Sequence, residues 1–203
     1  MIAASAAPLT VAVSTDLGVT SLGELLAAAR SDPQGYGSAG VGTVNHLTAE
    51  MLAGMAGIQL LHIPYTGFGP AMAAFLGGHV KMMVGSFPSV LPLVREGKAR
   101  ALAVTGARRS ALVSELPTVA EAGVPGYELE AWWRMFSPVG LPAPIMARLN
   151  GDVNQLQSMP DVIEILARNG AAPTPGTPQG FARMIQTDIP RTRRLITDAR
   201  IVE

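Results

Sequence analysis

Apolar and polar residues alternate along this chain with two periods in turn, one helical and one extended. Leu22, Leu25, Leu26 and Ala29 recur at the spacing of one helix face behind the capping box Ser21-Leu22-Gly23-Glu24, which predicts a helix over Leu22 to Ser31. A short strand around Tyr36 to Ala39 follows, then a helix carrying Leu47, Met51, Leu52 and Met55 on one face and stopping at Gly57. Ile58 to Ile63 reads as a strand, Pro70 to Leu76 as a helix ended by Gly77-Gly78, and Val80, Met82 and Val84 alternate as a strand. Pro88 to Arg95 is predicted helical and Arg100 to Thr105 a buried strand. Gly106 to Gly126 reads as irregular, with a short helix over Val119 to Ala122, and Tyr127 to Val139 as extended. From Pro144 on the pattern is helical: Ile145 to Leu156, Asp161 to Arg168, and Phe181 to Ala199. Because an interior proline costs about 3 kcal/mol, a kink or break is expected near Ile189, before Pro190.

Strands alternating with helices predict an α/β fold with a largely parallel sheet, and in such sheets ligands sit beyond the carboxyl ends of the strands. Composition narrows the picture. The 203 residues are 48% hydrophobic and 15% charged, enough apolar surface to build a core. Fifteen Lys and Arg balance fifteen Asp and Glu, so there is no electrostatic footprint for nucleic acid or an anionic membrane. Absence of cysteine excludes disulfides, thiol nucleophiles and thiolate metal sites, and is compatible with either redox compartment. The apolar opening carries no Lys or Arg, unlike a signal peptide, and no apolar run approaches the roughly 20 residues a membrane span needs. It passes at once into the apolar β-run Leu9 to Val13, which reads like a chain cut from something longer.

The segment Ser38-Ala39-Gly40-Val41-Gly42-Thr43-Val44-Asn45-His46-Leu47 joins a glycine-rich turn to an amphipathic helix. Glycines let backbone approach a ligand, Thr43 or Asn45 supplies the N-cap, and the unpaired N–H groups of the first helical turn carry about half a positive charge. Together they can form an anion site. Taken alone, an ordinary strand-to-helix turn is the better account. Enzyme signatures are weaker. Tyr36-Gly37-Ser38-Ala39-Gly40 lacks the first glycine of a nucleophile elbow, and His79 is the last histidine of the chain. Gly35, Gly37 and Gly40 fit a dinucleotide-binding spacing, but they lie before and within a strand, with no acidic partner at a following strand end. His46, His62 and His79 lack metal-ligand spacing, so neither metal nor cofactor is expected.

Five segments in order resemble the Bug family, the substrate-binding receptors of tripartite tricarboxylate transporters. They are Ser38 to Leu47, His62-Ile63-Pro64-Tyr65-Thr66-Gly67, Gly77-Gly78-His79-Val80, Gly97 to Thr105, and Pro117 to Tyr127. The resemblance implies a periplasmic-binding-protein-like (type II) receptor whose two α/β lobes close around a small mono- or dicarboxylate, presented to membrane transporter subunits without catalysis. Localisation would be periplasmic. It further implies that this chain is the second lobe, residues 15–132, with residues 1–14 as a crossover strand and residues 133–203 as the return crossover and C-terminal helices. Most of a first lobe, including its Pro-Gly-Gly loop, and the signal peptide have no counterpart. Apolar surface made for that lobe is expected to drive formation of a homodimer, a rearranged tail, or both.

The resemblance assigns Ser38, Gly40, Gly42 and Thr43 to a loop that grips a ligand carboxylate through amides, hydroxyls and bridging water. His46, in the first turn of the next helix, either donates to the ligand or orients the loop. Tyr65 and Gly67 follow a strand at the ligand edge, as do Gly85 and Ser86. Trp132 and Trp133 wall a cleft, brace the hinge, or are simply buried, burial being expected for at least one of them. Arg108 and Arg109 are read as a solvated loop. Family members usually carry acidic residues at the positions of Ala74, Lys81 and Gly85, so the chemistry at the ligand's far end departs from the family pattern.

Overall fold

A computed structural model describes residues 2–199 and 201. The strand β1 (Ile2–Ser14) organises everything else. It is followed by a helix α1 (Leu22–Ser31), strand β2 (Gln34–Ser38), helix α2 (Val44–Ala56), strand β3 (Leu60–Pro64), helix α3 (Phe68–Leu76), strand β4 (Met82–Ser86), helix α4 (Phe87–Arg95) and strand β5 (Ala99–Val104). A long connection leads to β6 (Glu130–Met135), then helices α5 (Ala143–Gln157) and α6 (Pro160–Arg168), the two-residue β7 (Ala172–Pro173) and α7 (Pro178–Asp198).

The main path of the sheet runs β3-β2-β4-β1-β5. β2 pairs in parallel with β3 and β4, while β1 lies antiparallel between β4 and β5. Every strand on the path except β1 therefore points the same way, as the alternating pattern predicted. β1 belongs to two sheets: Leu9 to Val13 pair with β4, whereas the stretch from Ile2 to Pro8 pairs with β6, and Ser5 and Ala6 also pair with β7.

Period-two alternation sorts the core. Val11, Val13, Met82 and Val84 face one side, under Leu22, Leu25 and Leu26 of α1 and Ala49 and Leu52 of α2. Ala12 and Met83 face the other, under Ala74 and Phe75 of α3 and Val90 and Leu93 of α4. Both faces are covered, which explains why these strands are apolar almost throughout.

α1 spans the residues that its capping box predicted, with the Glu24 N–H donating to Ser21 Oγ at 3.2 Å. Ile58 lies outside β3: Gly57 ends α2 in the left-handed region at φ 62°, and the Ile58 N–H returns to the Ala53 carbonyl at 3.0 Å while its side chain enters the core. The helix expected over Val119 to Ala122 is a single turn, closed by the Ala122 N–H on the Thr118 carbonyl at 2.9 Å. Of the kink or break expected near Ile189, the break is absent: α7 runs through Pro190. Pro190 and Gln186 are both exposed, so the carbonyl that proline leaves without a partner can turn to water. Phe181 and Leu195 anchor the helix on either side, the first buried and the second packed on the main core. Among the described residues no helix is long and apolar enough to cross a membrane.

Candidate functional site

Because β3, β2 and β4 are neighbours pointing the same way, the turns that follow them share one edge of the sheet, and with them the N-termini of α3, α2 and α4. Leu9 of β1 pairs with Ser86 at this same edge, so β1 leaves one sheet for the other beside these turns.

The three helix starts are alike in what they lack. Thr43, Gly67 and Ser86 are the N-caps, and among the described residues no side chain caps any of the three helices; none carries an acid in its first turn. At the opposite edge α1 is built the usual way, with a Ser21 cap and Glu24 in its first turn. The missing caps have visible causes. Thr43 Oγ1 donates to the Gly40 carbonyl at 2.7 Å instead of accepting from its helix. The Ser86 hydroxyl is engaged with Ser89 Oγ at 2.6 Å, and Gly67, at φ 146°, has no side chain to offer. First-turn amides of α2 at Val44, Asn45 and His46 have no partner within their helix, and no acidic residue lies in that turn.

The glycine loop itself is held from below. Ser38, fully buried, accepts the Gly40 N–H at 3.1 Å, and buried His46 accepts the Gly42 N–H on Nδ1 at 3.0 Å. Gly40 and Gly42 sit at φ 134° and 73°, conformations that L side chains rarely adopt. Asn45 Nδ2 donates to the Val84 carbonyl at 2.7 Å, pinning the start of α2 to β4. His46 thus touches the loop through Nδ1. Tyr65 continues β3 by donating its N–H to the Ser38 carbonyl at 3.1 Å, and its half-buried ring packs beside Gly37 against the second core.

Gly85 is fitted to a neighbour. A Cβ there would meet the Phe68 ring at 2.6 Å, so the ring from the start of α3 takes the space that any side chain at this position would need. Trp132 and Trp133 are 38% and 53% exposed, so burial accounts for neither. Trp132 sits edge-on against Phe181 and under the Arg134 guanidinium, and both tryptophans line a groove with α2 and α7. Arg109 pairs with Glu121 at 2.8 Å on an exposed surface.

Sequence reasoning missed the partners under the loop. His62 Nε2 lies 2.6 Å from Ser38 Oγ, and Tyr36 Oη donates to Glu50 Oε1 at 2.6 Å. Tyr36 and His62 are register partners across β2 and β3, a relation that the two-residue period of each strand hints at only once the strands are known to be neighbours. The Ser38–His62 distance would suit a nucleophile and its base, but Ser38 is 0% exposed, leaving no room for a substrate.

The sequence matches the tripartite tricarboxylate transporter family receptor over residues 1–201. A protein from the tcbD-tcbE intergenic region of Pseudomonas sp. strain P51 is 35% identical over 204 residues, covering 99% of this chain and 61% of the relative, so the chain spans about three-fifths of that protein's length. Among solved structures, Rpa4515 of R. palustris with adipate matches with a TM-score of 0.89 and 34% identity, over 99% of this chain and 68% of that one. MatC of Rhodopseudomonas palustris with bound malate matches with a TM-score of 0.78 and 27% identity, over 96% and 68%. An open α/β sheet with uncapped helix starts at its carboxyl edge, matched along nearly its whole length to such receptors, places the chain in the tripartite tricarboxylate transporter receptor family.

Proposed function

We propose that this chain carries the carboxylate-holding part of a periplasmic solute receptor that presents a small mono- or dicarboxylate to a tripartite transporter, with no chemistry done on the ligand. The observation that carries the reading is the convergence at one sheet edge of three helix N-termini without side-chain caps or first-turn acids. Positive helix ends and bare amides together favour an anion, and a binding role leaves the ligand unchanged. Two family members with adipate and malate supply the ligand class. In this reading the amides of the loop through Ser38, Gly40, Gly42 and Thr43 grip one carboxylate from the α2 start, His46 orients them, and Tyr65, Gly67 and Ser86 bound the pocket. Residues 15–132 act as one lobe, with residues 1–14 and 133–203 as its crossovers. The exposed apolar side chains of Trp133, Met135, Phe136 and Val139 are the contact of a homodimer.

Isothermal calorimetry against adipate, malate and a monocarboxylate tests the reading. Saturable one-site heat with at least one of them is expected. Absence of heat with all three at millimolar ligand removes the receptor role for this chain.

A further inference from the structure

Directly beneath the glycine loop lies a stack of three rings contributed by two strands and a helix. The His46 and His62 imidazoles are face to face, 3.7 Å between centroids and 11° between planes, and Tyr36 stacks on His62 at 5.0 Å and 24°. Each histidine reaches the loop by a different atom. His46 Nδ1 accepts the Gly42 N–H, which leaves this nitrogen unprotonated and places the proton of the neutral ring on Nε2, 3.9 Å from Glu50 Oε1. His62 Nε2 meets Ser38 Oγ, the same oxygen that accepts the Gly40 N–H.

We infer that His46 and His62 are positioning residues for the anion-holding loop, keeping it set as a neutral stacked pair, and that acid releases the loop by charging that pair. The inference rests on the proposed carboxylate site. A proton added at His46 Nδ1 turns an acceptor into a donor facing the Gly42 N–H, so the bond is lost and the Gly42 amide must turn away. A proton added to His62 leaves its contact with Ser38 possible but places a charge 3.7 Å from the other ring. Two charged rings cannot stay stacked at that separation. The loop's geometry depends on both amides, of Gly40 and Gly42, being held by these side chains.

The direction of titration agrees with this geometry. Burial, and then the neighbouring His46, hold His62 down at about 4, and burial holds His46 below the ordinary histidine value against the opposing pull of Glu50. The fold therefore favours the neutral forms. Stability and loop order are fully present at neutral pH and decline as pH falls from about 6.5 toward 4. The titratable groups facing the pair are Tyr36 from β2 and Glu50 from α2. Burial and the Glu50 carboxylate hold the Tyr36 hydroxyl protonated throughout this range. Asp188, Arg191, Arg194 and Asp198 of α7 lie along the groove beside Leu47, Met51 and Met55, and Lys81 pairs with Asp16 at the far edge of the sheet.

The test follows the imidazole nitrogens and the Gly40 and Gly42 amides by nuclear magnetic resonance of the ligand-free chain from pH 7.5 to pH 4. At pH 7.5 His46 should carry its proton on Nε2, and the Gly42 amide should shift with the His46 ring on a common midpoint below 6.5. Two variants supply a second readout by calorimetry with adipate at pH 7.5, each checked for a cooperative melt. His46→Leu, which removes the acceptor, should weaken adipate by about tenfold through the unpaired Gly42 amide, whereas His46→Gln, which keeps an acceptor but cannot titrate, should stay within about threefold of the wild type. In His46→Gln the Gly42 amide should cease to move with pH. A Gly42 amide that ignores the His46 titration, a proton on His46 Nδ1 at pH 7.5, or wild-type affinity in His46→Leu overturns the inference. The resonance readout needs no ligand and decides the matter even if the wild type binds no adipate, an outcome that would count against the receptor role alone.

Discussion

At the scale of single residues, the hydroxyls near the loop support the backbone from within. Thr43 is the clearest case: its Oγ1 donates to the Gly40 carbonyl at 2.7 Å, so the hydroxyl braces the loop. Replacing Thr43 by Val keeps the side-chain shape and deletes this bond, at a cost of about 0.5 to 1.5 kcal/mol. As far as the free loop relaxes without that bond, the loss appears as adipate affinity weaker by up to about 12-fold in calorimetry, together with a fall of a few degrees in the melting temperature. Unchanged affinity would show that the Thr43–Gly40 bond does not preset the loop for a ligand. The sequence pointed to Thr43 or Asn45 as the N-cap, and the family resemblance to Thr43 as a binding residue; that the Thr43 hydroxyl turns back to the Gly40 carbonyl follows from the path of the folded loop, which composition does not encode.

At the scale of elements, the departure at Gly85 illustrates how one helix start compensates for another strand's end. Gly85 lies in β4 and Phe68 opens α3, and the ring fills the space over the glycine. A family-like acid at this position has nowhere to go while the ring stays. Gly85→Asp should destabilise the fold by about 1 to 3 kcal/mol through overpacking, read as a lower denaturation midpoint. Adding Phe68→Ala should recover part of that loss, giving a clear coupling in a double-mutant cycle. Strict additivity would show that the two residues do not share this space. The helices and strands themselves were largely legible, since their signals are local: Ser21 and Glu24 mark the start of α1, and Gly57 marks the end of α2. Pro190 does not break α7, and the Gln186 carbonyl that it leaves without a partner belongs to an exposed residue within reach of water.

At the scale of the whole molecule, the two halves differ in how well they bury their apolar residues. The lobe around β2 to β5 has a core on each face of its sheet, whereas Trp133, Met135, Phe136 and Val139 are 53%, 51%, 62% and 105% exposed. Neighbouring apolar side chains left in water favour association. Sedimentation velocity should show a dimer at tens of micromolar, and Phe136→Asp should shift it toward monomer while leaving the melting of the lobe intact. A monomer at every concentration would remove the proposed homodimer.

The alternation of strands and helices, the apolar faces and the glycine turn after β2 were legible in the sequence because each rests on residues near one another in the chain, and the family was legible because each of its five segments is itself a local motif. Only the tertiary structure decided that β1 runs against its neighbours and belongs to two sheets, that three uncapped helix starts meet at one edge, and that His62 lies against His46 and Ser38. The physical reason is one of range. Helix caps and periodicity are set within a few residues, whereas the pairing of β2 with β3 brings together side chains 24 positions apart, and nothing local in either strand names its partner.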